Sequence, residues 1–209
     1  MKILAVSGSA RRGSFNTALA HRITDIRTQD QVVVRSDLDR LPFFNADLES
    51  TRIHPEVAEL REAVEECALL VLVTPEYNGT TPGLMMNAVE WLSRPHGTAV
   101  LIGKPVLVIS ASPSRGGGRR SAQHLREVLQ RIGAQVCDSG MSVAEAHHEF
   151  ASPGGGLSTH SYNQLQEALE VGAHGMTNRA AQQHLGDLGP PTGSHTAAQE
   201  TAELAAVTS

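Results

Sequence analysis

Aromatic side chains are scarce in this chain. One Trp, two Tyr and four Phe make up 3% of 209 residues. The core must therefore be aliphatic, and a hydrophobic content of 40% is enough to build one. Cysteine is nearly absent. Cys67 and Cys137, far apart in the chain, do not make a disulfide framework and point to reduced thiols in a cytosol. Cys67 precedes an apolar run and reads as a small core residue rather than a redox group. No apolar run approaches the ~20 residues of a membrane span. The opening Met1–Val6 is too short for the hydrophobic region of a signal peptide. Excess basic charge is also missing. Lys and Arg total 17 against 22 acidic residues, a net charge of −5, so there is no electrostatic case for nucleic acid. These absences predict a cytoplasmic protein with neither a membrane nor a nucleic-acid partner.

What is present is an alternation of short apolar runs and amphipathic stretches. Strands are predicted at Lys2–Val6, Gln31–Arg35, Ala68–Thr74, Pro105–Ser110 and Ala134–Cys137. Helices are predicted at Asn16–Arg27, Glu56–Glu66, Gly83–Ser93 and Arg120–Ile132. Strands alternating with helices of this length imply a parallel sheet with right-handed crossovers, covered by helices on both faces. The regular pattern ends near Ala151, where Ser152-Pro153-Gly154-Gly155-Gly156 reads as a loop. Tyr162–Val171 is predicted as one more helix. The Gly-, Pro-, Ser- and Thr-rich end reads as a flexible tail, which sets the expected division at 1–175 and 176–209.

Three strand ends carry unusual loops. After the first strand comes Ser7-Gly8-Ser9-Ala10-Arg11-Arg12-Gly13-Ser14-Phe15-Asn16-Thr17, which runs into a helix whose unpaired N–H groups suit a phosphate. Named phosphate motifs fail here. The second glycine of G-x-G-x-x-G is missing, the Walker lysine is missing, and there is no nucleophilic cysteine. A Ser/Thr/Asn-rich loop for a phosphate monoester remains, beside the plainer reading of Ser14 or Asn16 as a helix cap. After the third strand, Pro75-Glu76-Tyr77-Asn78-Gly79 is polar and turn-forming. After the fourth, Ser112 and the glycines Gly116-Gly117-Gly118 permit close backbone approach. In a parallel sheet of order 2-1-3-4-5 these loops gather at the topological switch point, where ligands bind.

Together these segments resemble the NADPH-dependent FMN reductase family of flavodoxin-like proteins, which includes quinone, azo-dye and chromate reductases. The resemblance is carried by GSARRGSFNTALA from Gly8, LPFFNADLE from Leu41, TPEYNGTTPGLMMNAVEWLSRP from Thr74 and GKPVLVISASPSRGGGRR from Gly103. It covers roughly residues 2–135. Met86 departs from it, since many members carry a lysine before the Asn-Ala pair.

The resemblance implies a flavodoxin-like three-layer sandwich with a five-stranded parallel sheet and bound FMN. Ser9, Arg11, Ser14, Asn16 and Thr17 would hold the FMN phosphate. Pro75, Glu76, Tyr77, Asn78 and Gly79 would lie along the isoalloxazine ring, and Ser112 with Gly116 and Gly117 would close its other edge. It also implies two-electron, ping-pong hydride transfer from NADPH or NADH through FMN to a small-molecule acceptor: a quinone, azo compound, free flavin or metal oxyanion. A homodimer or homotetramer is expected. Arg11, Arg12 and Arg115 are candidates for the 2′-phosphate of NADPH. The cofactor performs the chemistry in such an enzyme, so no catalytic side chain is singled out. Glu76 reads first as a structural carboxylate, Tyr77 equally as packing, and Trp91 as core or interface. His147-His148-Glu149 lacks metal-ligand spacing. The alternative class is a flavodoxin-type electron carrier without its own nicotinamide turnover. Low acidity and few aromatics weigh against it.

Overall fold

The computed structural model describes residues 1–51, 53–150 and 156–186, and the side chains of all of these except 50, 51 and 174–186. Met1–Met176 forms one compact unit. Strands β1 (Lys2–Ser7), β2 (Gln31–Arg35), β3 (Leu69–Thr74), β4 (Pro105–Ala111) and β5 (Gln135–Val136) form a parallel sheet in the order β2-β1-β3-β4-β5. This is the expected flavodoxin-like arrangement. The sheet also carries a strand the sequence reading missed, the two-residue β6 (Ser142–Val143), which pairs with Ser110 and Ala111 at the end of β4. Two residues are too short to show any periodicity.

The helices are α1 (Phe15–Ile26), α2 (Ala46–Thr51), α3 (Pro55–Glu66), α4 (Gly83–Leu92), α5 (Arg119–Ile132), α6 (Ala146–Glu149) and α7 (Thr159–Gly186). The five predicted helices are all present, with ends shifted by a few residues except in α7, which extends well beyond Tyr162–Val171. The short α2 and α6 carry too few turns to be read from sequence. The expected tail from 176 lies outside the described residues beyond the end of α7.

Every residue of β3 is buried, because both faces of a central parallel strand are covered. Leu4, Leu70, Leu72, Val106 and Val108 face the apolar stripes of α3, α4 and α5. Ile3, Leu69, Val71, Leu107 and Ile109 face α1, α6 and α7. Trp91 belongs to the first of these layers: it is buried, with its indole N–H donating to the Pro42 carbonyl at 2.8 Å. Cys67 is buried as expected, and burial pushes its thiol up. Glu149 is committed locally. Burial raises its carboxyl, but donation from the Ser158 N–H and from the Ser161 and Ser158 hydroxyls outweighs this and holds it below the ordinary range. Among the described residues, no helix is long and apolar enough to cross a membrane.

Candidate functional site

β1, β3 and β4 end side by side at one edge of the sheet. The Gly8 N–H donates to the Val73 carbonyl at 2.8 Å, so the loop after β1 leaves in contact with the end of β3. A Cβ on Gly8 would lie 2.9 Å from the Met85 methyl and 3.3 Å from the Pro75 ring. Glycine is what lets these two loops approach. The loop after β4 is tied to the first by Asn16, whose buried amide donates to the Ala111 carbonyl and accepts from the Ala111 N–H, both at 2.9 Å.

A cleft of about 330 Å³ lies between the three strand ends. Ser9, Arg11, Ser14, Phe15 and Asn16 line it from the first loop, Pro75, Glu76 and Tyr77 from the second, and Ala111, Ser112 and Pro113 from the third. At the first wall the side chains serve their own backbone. Ser14 caps α1 by accepting from the Thr17 N–H at 3.3 Å. Ser9 accepts from the Arg11 N–H at 3.4 Å. The Arg11 guanidinium donates to the Gly13 carbonyl at 2.9 Å and lies over the Phe15 ring. The first turn of α1 contains no acidic residue, so nothing there opposes an anion.

The second wall is a tight hairpin. Tyr77 and Thr80 exchange backbone hydrogen bonds around Asn78 (φ 54°) and Gly79 (φ 77°). Positive φ at both central residues is the hairpin turn that Asn-Gly favours. Two long-range contacts hold this hairpin. The Glu76 carboxylate accepts from the Arg120 N–H at 3.1 Å, in the first turn of α5, where the cap residue Gly118 has no side chain to offer. His124 Nδ1 lies 3.0 Å from the Thr80 hydroxyl and 3.1 Å from that of Thr81. Tyr77 remains half-exposed at the mouth of the cleft.

Five of the expected site residues do not line the cleft. The Thr17 hydroxyl pairs with that of Ser7 at 2.9 Å. Asn78 and Gly79 form the turn of the hairpin. Gly116 lies away from the cleft. Gly117 (φ 63°) is pressed on β6: a Cβ there would meet the backbone of Ser142 and Ala144 at 2.9 Å. Its glycine is required by a neighbouring strand. Conversely, sequence reasoning missed Phe15, Ala111 and Pro113 as lining residues. It also missed the latch made by Thr80, Thr81 and His124, which is separated by more than forty residues and leaves no local signal.

Fold and cleft together define a flavodoxin-like domain with a strand-end cleft suited to a flat ligand that carries a phosphate. The structure is similar to that of the flavoenzyme NAD(P)H:(acceptor) oxidoreductase FerB from Paracoccus denitrificans, with a TM-score of 0.76, 24% identity, and coverage of 85% of this chain and 97% of that one. In sequence the chain is 29% identical to the NAD(P)H-dependent FMN reductase of Pseudomonas aeruginosa, over 82% of this chain and 92% of the relative. It is 39% identical to the 2-hydroxy-1,4-benzoquinone reductase of a Burkholderia species, over 61% and 69%. The model of the NADPH-dependent FMN reductase family matches residues 1–148, and the chain belongs to that family. It is thus an oxidoreductase with FMN as cofactor and a reduced nicotinamide as co-substrate.

Proposed function

We propose that this protein transfers two electrons from NAD(P)H to a quinone-type acceptor in the cleft between Ser9, Pro75 and Ser112. The observation that carries this reading is the convergence of a hydroxyl- and guanidinium-lined end with a half-exposed, flat-sided wall in one open cleft. Ser9, Ser14 and Arg11 beside the first turn of α1 fit the FMN phosphate, because hydroxyls, a guanidinium and unpaired helix N–H groups are anion donors. Pro75, Glu76 and Tyr77 fit the edge of the ring system. Asn16 holds two loops together, each end of its amide bonding Ala111. FMN, when bound, supplies the relay that takes a hydride from NAD(P)H and returns it to the acceptor.

The overall balance is NAD(P)H, a proton and a quinone giving NAD(P)+ and a hydroquinone. Both co-substrates would meet the same exposed wall at Tyr77, which supports ping-pong order, the nicotinamide leaving before the acceptor enters. A 1,4-benzoquinone is favoured over azo compounds, free flavins and metal oxyanions by the substrate named for the Burkholderia relative.

A second copy of the chain is part of the proposal, as a homodimer or homotetramer. Phe43 is 87% exposed, yet the backbone on either side is held: the Pro42 carbonyl by Asn87 and Trp91, and the Phe44 N–H by Asn87. An ordered, exposed aromatic of this kind suits an interface anchor. The buried thiol of Cys67, outside any disulfide, supports a cytoplasmic location. Residues 1–175 would form the flavin domain.

The test is anaerobic addition of NADPH or NADH to the FMN-loaded protein, followed by 1,4-benzoquinone. Bleaching of the flavin absorbance and its return with quinone are the expected result. A flavin spectrum indifferent to both nicotinamides would make the protein an electron carrier instead.

A further inference from the structure

A second depression is lined by Gly79, at the turn of the Tyr77–Thr80 hairpin, and by Arg119, Arg120, Gln123, His124 and Glu127. Resting on the reductase reading above, we propose that it receives the 2′-phosphate of NADPH and makes the enzyme prefer NADPH to NADH.

Position is the first argument. The segment Glu76–Gly79 contributes to both the cleft and the depression. Glu76 lines the cleft and bonds the backbone of Arg120, while Gly79, at the turn of the same hairpin, lines the depression. A dinucleotide whose nicotinamide lies at Tyr77 has to pass over this hairpin or away from it. Gly79 places no side chain in the way, and a Cβ there would be 3.9 Å from the Arg120 guanidinium.

The second argument is unspent charge. Lys2, Arg22, Arg27, Arg35, Arg40 and Arg61 all have carboxylate partners. Among the described residues, the guanidinia of Arg119 and Arg120 have neither a carboxylate nor a carbonyl partner, and both residues are exposed. The acidic residue in the depression, Glu127, accepts from the Gln123 amide at 2.8 Å, one helical turn away. Two adjacent guanidinia with free forks are suited to a phosphate dianion. The Arg120 N–H is already taken by Glu76.

The third argument is the fixed ring of His124. The Thr81 hydroxyl gives its one hydrogen to the Ser121 carbonyl at 2.9 Å, so the contact with His124 needs a hydrogen on Nδ1. The hydroxyls thereby pin the ring at its Nδ1 side. Nε2 is left as the ring's remaining polar atom.

Arg11, Arg12 and Arg115 are displaced as candidates. Arg11 lines the cleft, where it is assigned above to the FMN phosphate, and neither Arg12 nor Arg115 lines either depression.

The experiment compares the FMN-loaded wild type with R119Q/R120Q and R119K/R120K. Steady-state kcat/KM is measured for NADPH and NADH, and calorimetric titration is run with adenosine 2′-phosphate and adenosine 5′-phosphate. Loss of two charge-assisted contacts is expected to lower the NADPH-to-NADH ratio of kcat/KM by about tenfold or more and to abolish the preference for the 2′-phosphate. The lysine pair should retain part of both. A ratio and a 2′-phosphate affinity unchanged in the glutamine pair would overturn the proposal. So would a change confined to the sedimentation coefficient, which would make this face a contact between copies. If the wild type turned over neither nicotinamide, the reductase reading would fall, and the 2′-phosphate titration would still decide this one.

Discussion

The two main walls of the cleft are built on opposite plans. The wall after β1 is made almost wholly of contacts within a few residues: Ser14 with Thr17, Ser9 with Arg11, Arg11 with Gly13. The wall after β3 is held by partners 44 residues away, Glu76 with Arg120 and Thr80 with His124. The first plan shapes its loop with little help from the rest of the fold. The second ties the hairpin to the helix that follows β4. Asn16 joins the plans, being local to the first loop but bonded to Ala111 across 95 residues.

Breaking that joint should have the largest effect. Asn16→Leu leaves a buried N–H and a buried carbonyl of Ala111 without partners, at a cost of roughly 2–5 kcal/mol. The urea midpoint is expected to fall accordingly, and FMN retention on desalting to fall with it. An unchanged midpoint would mean that the loops hold together without this amide. Next in size is Gly117→Ala, where positive φ and overlap with the Ser142 and Ala144 backbone add to about 2–3 kcal/mol. A drop in Tm without loss of cofactor from the folded protein is expected, since Gly117 supports β6 and does not line the cleft.

The comparison sharpens at the caps. Ser14→Ala and Glu76→Ala each remove the side-chain cap of one helix, and each should cost about 1 kcal/mol. Their functional effects should separate. Ser14→Ala is expected to weaken FMN binding and Glu76→Ala to raise KM for the nicotinamide and quinone, with Glu76→Gln restoring most of the loss. Equal effects on FMN affinity would dissolve the distinction between the walls.

The smallest effect lies away from both walls and serves as a control. The Asp37 carboxyl is held below the ordinary carboxylate range, first by donation from the Arg35 guanidinium. A lowered folded value means that this stabilisation is complete above the unfolded value, about 3.9, and is lost as pH falls through the folded one. Wild type should therefore lose slightly more stability than Asp37→Asn between pH 5 and about pH 3, read from thermal midpoints, with no change in cofactor binding.

Much of this was legible in the chain. The strands β1 to β4, with their aliphatic runs, stand close to where the apolar pattern placed them. The parallel sheet followed from alternation with helices, and its order from the family resemblance carried by the loops at three strand ends. Asn78-Gly79 announced a turn. What escaped was short or distant. β6 has two residues, α6 has four, and both are stabilised by what they pack on rather than by their own periodicity. Nothing in the sequence showed that Gly117 is pressed against a neighbouring strand, where a Cβ would meet the backbone of Ser142 and Ala144. The extra length of α7 had little amphipathic signal to reveal it.

The sequence by itself determined the fold class, the strand ends that matter and the chemistry of the first loop. These depend on periodicity, turn propensity and contacts a few residues long, all of which are written locally. Only the tertiary structure decided which of the polar side chains are already spent and which are left over. It assigned Asn16 to Ala111, Glu76 to α5 and His124 to the hairpin, and it left Arg119 and Arg120 unpaired beside that hairpin. A hydrogen bond is satisfied by whatever group the fold brings within about 3 Å, and proximity across forty or ninety residues is a property of the packed sheet and its helices, not of any segment within it.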